Sequence, residues 1–349
     1  MELLTKKEKK VLDALIVKHR KDGVLGYSNV KHDGKIRIYV TFEDVIPRIL
    51  SFCTAKGIDN IEIFVVGEVK ALGSFFPITS TTPEKTKKIR PLVIGTSVGH
   101  KNITAGTIGL FVKDEYGNEC ILSNAHVLHP NPLSQFLPSD RTVCQPGPYD
   151  FNFDMSKVDE YRVGQLLKHI PLIGMYSGSQ CPIAGTIEKM LNAIAKTFGR
   201  RTRYVAIAQV PNYADAAIAK IDEGIKYIPD KTFSCKISAN THKWIGLLFA
   251  GSTNGKYAVM CKAKYIIEGL RITPIAFEVY HDLKIGMVVE KDGRSSCYTK
   301  GCLIDVSASI TVSYTVDNVW FDDVCIIKAI DNVMCLPGDS GSSMFVKIE

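Results

Sequence analysis

Three short segments hold side chains that together make an activated nucleophile: "LSNAHVL" with His126, "NYADAAIAKI" with Asp215 and "PGDSGSS" with Ser340. A serine hydroxyl is a weak nucleophile at neutral pH, so it needs a base within hydrogen-bond reach, and that base needs an acceptor that fixes its tautomer. Each residue alone says little, since a lone histidine is usually structural and an aspartate heading a strand is usually a cap or turn residue. As a set they point to attack on an acyl carbon. Ser340 would attack a scissile carbonyl, His126 would take its proton and return it to the leaving group, and Asp215 would orient and stabilise the imidazolium. The N–H groups of Gly338 and Ser340 would form an oxyanion hole, each donor worth roughly 3–4 kcal/mol. A glycine at 338 permits the unusual backbone angles that aim its N–H. His129 is a weaker substitute base, Asp150 and Asp154 read as turn formers, and Asp322 and Asp323 as surface residues. The scheme needs no metal and no organic cofactor.

The elements that position these side chains are mostly strands. From residue 94 onward short apolar runs alternate with glycine: "TAGTIGLFVKD", "ECILSNAHVL", "VGQLL", "DAAIAKI", "WIGLLFAG" and "KGCLIDVSASITVSYTV". Many short strands with Gly and Pro turns predict an all-β sandwich or barrels. Two segments have helical spacing instead, residues 181–199 and 256–270. Ahead of them, residues 1–21 read as an amphipathic helix with Val11, Leu12, Leu15 and Ile16 on one face. "VLGYSNV" and "KIRIYVTF" read as a hairpin through "KHDGK", and a short helix and "NIEIFVVGEV" complete a small α/β unit over residues 1–75. Residues 76–93 read as a linker, 94–222 as a first β-barrel with His126 and Asp215, and 223–349 as a second with Ser340.

The order His, Asp, Ser, the string P-G-D-S-G-S and the segments "TAGTIGLFV", "ILSNAHVL", "QPGPYD" and "DAAIA" resemble trypsin-like serine peptidases. The chain is similar to a prokaryotic branch with a small N-terminal α/β unit. The resemblance implies a mainly β, chymotrypsin-like double β-barrel, serine endopeptidase activity, and a protein or peptide substrate. In that family the chain normally continues well past the serine, into a strand that walls the substrate pocket and a helix, whereas here nine residues follow Ser340. A matching strand and helix lie upstream, in "WIGLLFAGSTNG" and "KYAVMCKAKYIIEGL". The second barrel is therefore expected to be circularly permuted, with 244–270 supplying its last strand and helix; the alternative is that 244–270 is an inserted strand and helix. On that reading Phe249, Ala250 and Gly251 line the specificity pocket, with Met334, six residues before Ser340, at its base. In secreted animal relatives the aspartate matching Asp339 pairs with a freshly cut N-terminal amine; here its partner has to be another group.

Composition narrows the alternatives. The net charge of +7 is spread over solvated helix faces, without the interleaved aromatics of single-strand binders, so no nucleic acid is expected. No apolar run reaches the roughly 18 residues needed to span a bilayer, and the first helix does not read as a signal peptide, so no membrane contact and a cytoplasmic location are expected. The ten cysteines include no CxxC pair and no zinc-like spacing, and read as thiols that fill strands. The alternative function is a catalytically silent protease-like module that captures a peptide. The N-terminal unit would dock a regulatory partner or restrain the site.

Overall fold

Apolar side chains that alternate along a strand bury one face, and here the buried faces of two sheets meet in one core. A computed structural model describes residues 2–71, 83–175, 182–197, 199 and 210–348. The chain is mainly β, 41% strand against 21% helix, built from a curled half-barrel sheet and a ring sheet.

The curled sheet runs in the order Ile272–Pro274, Leu110–Asp114, Glu119–Ser123, Ala217–Ile221, Arg162–His169, Thr142–Cys144, Ser97–His100 and Gly106–Thr107. Two of these strands are nearly continuous in the chain. Gly106–Thr107 leads through Ile108, whose N–H donates to Thr96 O (2.8 Å), and Gly109, whose N–H donates to Leu122 O (2.9 Å), into Leu110–Asp114. One bent segment thus serves opposite sides of the sheet and forces the curl. Leu110, Val112, Cys120, Leu122 and Ile218 fill its interior.

The ring consists of Val288–Gly293, Ser343–Lys347, His242–Ser252, Tyr257–Lys262, Asn318–Ala329 and Cys297–Ser313, and the last of these pairs back to the first between Cys302 and Val288. Residues 257–262, expected to be helical, form a strand, and the helix begins only at Ala263 and runs to Leu270. Ala258, Val259 and Met260 are paired on both sides, with His242–Ser252 and with Asn318–Ala329. Central position in the sheet overrides their weak helical pattern.

The N-terminal strands are not separate from the ring. Ala308–Ile310 of the long strand Cys297–Ser313 pairs with Ser28–Gly26, so Val24–His32, Lys35–Val40 and Ile61–Val65 prolong the same sheet. Helix Lys6–His19 opens with a capping box between Thr5 and Glu8 and buries Leu12, Leu15 and Ile16 against Ile38, Val40, Ile49 and Trp320. Burial of each such aliphatic side chain stabilises by roughly 1.5–3 kcal/mol. Residues 181–199 contain the helix Pro182–Thr197. No helix among the described residues is long and apolar enough to cross a membrane.

The junction of unit and ring is tight at one residue. A Cβ on Gly26 would lie 2.0 Å from the Ser309 carbonyl oxygen and 2.8 Å from Ile310 Cα. Gly26→Val is therefore expected to cost about 2 kcal/mol by overpacking and to strip amide-exchange protection first from residues 24–40. Wild-type urea midpoint and protection in this variant would contradict a shared sheet.

Candidate active site

The register of two neighbouring strands brings His126 to Asp215. Ser123 pairs with Ala217, so the residues just beyond each strand face one another. Asn124 Nδ2 donates to Asp215 O (2.6 Å), Ala125 N to Asp215 Oδ1 (2.7 Å) and His126 N to the same oxygen (3.3 Å). His126 sits in a single helical turn, Ala125–Leu128, that follows strand Glu119–Ser123. Its Nδ1 lies 2.5 Å from Asp215 Oδ2 and its Nε2 2.7 Å from Ser340 Oγ. Ser340 arrives from the other sheet, in the turn before Ser343–Lys347. The turn is tied across the interface, where Thr107 N donates to Ser340 O (2.8 Å), Thr107 Oγ1 to Gly338 O (2.9 Å) and Gly341 N to Leu248 O (3.0 Å).

Asp215 and Ser340 are fully buried and His126 is 9% exposed. Burial pushes the Asp215 carboxyl up, but the adjoining His126 ring and the hydrogen bonds from His126 and Tyr314 outweigh it, and the group is held below the ordinary carboxylate range. Asp215 is thus an anion that holds the Nδ1 proton of His126, which leaves Nε2 as the acceptor for the Ser340 hydroxyl. Tyr314, absent from the sequence reading, donates its hydroxyl to Asp215 Oδ2 (2.6 Å) and sets its ring edge-on to His126 at 5.6 Å. Burial and the Asp215 charge push its phenol well above the usual tyrosine value.

Gly338 has φ 98°, in the region that favours glycine. Neither its N–H nor that of Ser340 donates to an acceptor among the described residues. The turn between them is held by Asp339, whose partner is Lys291. Lys291 Nζ lies 3.1 Å from Asp339 Oδ2, and both side chains are fully buried. Asp339 also accepts from Ser295 N (2.8 Å), Ser296 N (3.1 Å), Ser296 Oγ (2.5 Å) and Leu336 N (2.9 Å). Burial raises this carboxyl, and Lys291 with those donors brings it below its ordinary value. The flanking residues are ion-paired too, Asp292 with Lys85 and Arg294 with Asp150.

The remaining expected site residues lie as follows. Met334 is buried inside the ring among Met260, Leu303, Ile327 and Met344. Phe249 packs its ring on Phe321 at 4.4 Å, and Ala250 and Gly251 pair by backbone with Ala71 and Lys70. None of these four lines the open cleft of about 310 Å³ beside His126, which is bounded by Ala71, Ile103, Pro132, Phe153 and Tyr314. His129 borders the same cleft but bonds Phe136 O rather than Ser340, with its ring tilted against that of His169 at 4.2 Å. Asp154 caps a short turn at Ser156, in keeping with a turn former. Asp150 instead binds Arg294 and Ser97, and Asp323 is tied to Lys262, Tyr265 and Ser307, so neither behaves as a bare loop or surface carboxylate. Asp322 accepts from Asn29 and Ser309. Among the described residues no group of three His, Cys, Asp or Glu side chains is arranged to hold a metal ion.

Comparison with family models finds none that matches the chain, and comparison with curated proteins finds no match either.

Lys291→Met leaves the Asp339 charge buried without its cation, which is expected to destabilise the fold by about 3–5 kcal/mol. Lys291→Met/Asp339→Asn should recover a large part of that loss. A melting temperature unchanged by Lys291→Met would show that the pair does not hold the turn. His129 gives a pH dependence. Burial pushes its imidazole down from 6.5 to about 4, so it stabilises fully above the unfolded value and loses that contribution as pH falls from about 6.5 to about 4. His129→Asn should flatten the fall in melting temperature over that range, and an unchanged slope would contradict the assignment.

Proposed function

We propose that the chain is a serine endopeptidase of the trypsin-like kind, which hydrolyses peptide bonds through His126, Asp215 and Ser340. The observation that carries this reading is the continuous path Asp215 Oδ2 to His126 Nδ1 (2.5 Å) and His126 Nε2 to Ser340 Oγ (2.7 Å). Ser340 Oγ attacks the scissile carbonyl as Nε2 takes its proton, and the imidazolium is stabilised by the Asp215 anion. The tetrahedral oxyanion is received by the N–H groups of Gly338 and Ser340. The imidazolium then protonates the leaving amine, and water repeats the sequence to release the acyl group. The Lys291–Asp339 pair would keep the oxyanion turn set without a cut N-terminus.

A peptide, rather than a small ester, is the substrate class that suits the backbone edge beside Ser340. Residues 249–252 follow the stretch that pairs with Ser343–Lys347, and an extended chain can add to such an edge by main-chain hydrogen bonds. On this reading the curled sheet and the ring are the two barrels of a chymotrypsin-like double β-barrel, and the second is circularly permuted. The permutation is supported by adjacency. Strand His242–Ser252 pairs with the strand after Ser340 and with Tyr257–Lys262, helix Ala263–Leu270 follows, and Ile272–Pro274 then joins the curled sheet. A closed ring keeps its pairings when the chain enters at a different strand.

A fluorophosphonate probe should label Ser340, with the adduct mapped by mass spectrometry. Ser340→Ala and His126→Ala should abolish labelling, and Asp215→Asn should slow it by about 10⁴-fold, because the imidazole then favours the wrong tautomer. A folded protein that does not react, or reacts equally well as His126→Ala, would contradict the proposal.

A further inference from the structure

The backbone edge assigned above to the substrate is already taken by the chain itself. Val69–Ala71 pairs antiparallel with it, Ala71 opposite Ala250, Lys70 opposite Gly251 and Val69 opposite Ser252. Thr253 N extends the ladder to Glu68 O at 3.0 Å. On its other side Lys70 meets Ser313, the end of the ring's long strand. Val69 and Ala71 are 2% and 3% exposed.

Direction matters more than contact here. The segment runs from Ser252 toward Phe249, whose carbonyl oxygen is 3.5 Å from Ser340 Oγ, so its C-terminal end points at the nucleophile. An acyl-side peptide requires that polarity, because the bond to be broken follows the residues that pair. Ala71 also borders the same cleft as His126 and Tyr314. The chain is fixed again at Lys85, a fully buried cation bonded to Asp292 and, at 2.8 Å, to Gly293 O. That anchor lies beside Lys291 in the strand that supports the oxyanion turn.

We propose that Val69–Ala71 is an internal substrate mimic, which fills the acyl side of the peptide-binding edge so that an outside peptide binds only when this strand is displaced. The proposal rests on the peptidase reading for its consequence, but the occupancy of the edge can be tested without turnover. Occupancy by the protein's own chain avoids the loss of translational freedom that a separate peptide incurs, so the internal strand holds the edge at high effective concentration.

The test uses the full chain with Ala71→Asp, which places a carboxylate at a buried position bordering the cleft, and independently with Val69→Pro, which cannot donate to a ladder. Three quantities are measured: binding of a fluorescein-labelled Glu-Val-Lys-Ala peptide, cleavage of quenched fluorescent casein, and labelling of Ser340 by a small fluorophosphonate. Both variants are expected to bind the peptide at least tenfold more tightly than the wild type and to cleave casein at least tenfold faster. Folded variants that bind the peptide no better than the wild type would overturn the proposal. Failure of both variants to fold would overturn it as well, since the strand would then be a fixed part of the sheet. Tighter peptide binding with an inert Ser340 would support the mimic and sink the peptidase reading. Labelled Ser340 with unchanged peptide binding would do the reverse.

Discussion

The site is organised around one carboxylate that has no access to water. A buried charge is costly unless every lone pair is met by a donor, and Asp215 meets this condition with the N–H groups of Ala125 and His126, the imidazole of His126 and the hydroxyl of Tyr314. Three of those donors come from the curled sheet and the fourth from the end of the ring's longest strand. The anion therefore helps to set how the two sheets meet, and it fixes which nitrogen of His126 faces Ser340. The bonds from Thr107 to Gly338 and Ser340 hold the serine turn to the same interface. Ser340 and His126 belong to different sheets, yet each is held by contacts from the other.

A second group of buried charges lies behind the turn. Glu290, Lys291, Asp292 and Arg294 follow one another along the strand Val288–Gly293 and just past it, and each meets an opposite charge or a histidine: His242, Asp339, Lys85 and Asp150. Breaking any one of the fully buried pairs would strand a charge in a low-dielectric interior, so the segment is held in one register. That register supports the backbone angles at Gly338 on which an oxyanion hole depends. The same strand also receives Lys85, so the support of the turn and the chain that leaves the cleft are joined through neighbouring residues.

Much of the site was legible in the sequence because its parts are local. His126, Asp215 and the Gly338–Ser340 turn each stand in a short recognisable segment, the strand pattern around them is strong, and the structure brings the three side chains together. What was hidden depends on distant pairing. Tyr314 is 99 residues from Asp215, and Lys291 is 48 residues from Asp339; neither carries a local signal, since a tyrosine at a strand end and a lysine in a charged strand are ordinary. The strand Tyr257–Lys262 read as helix because its partners on both sides decide its conformation. The continuity of the N-terminal unit with the ring was also invisible, since it depends on Gly26 lying close to Ser309, a contact that no periodicity reveals. Of the expected pocket residues, Phe249 brings its carbonyl oxygen to 3.5 Å from Ser340 Oγ, the edge of Ala250 and Gly251 is occupied by Val69–Ala71, and Met334 is packed inside the ring.

The most direct test of this account is the tautomer of His126, measured by nitrogen-15 NMR of the imidazole near neutral pH. The account predicts a proton on Nδ1, strongly deshielded by the 2.5 Å bond to Asp215, and an unprotonated Nε2 that accepts from Ser340, with the deshielded resonance lost in Asp215→Asn. A proton resident on Nε2, or a ring unaffected by Asp215→Asn, would mean that Asp215 does not orient the base, and the site would lack the chemistry assigned to it.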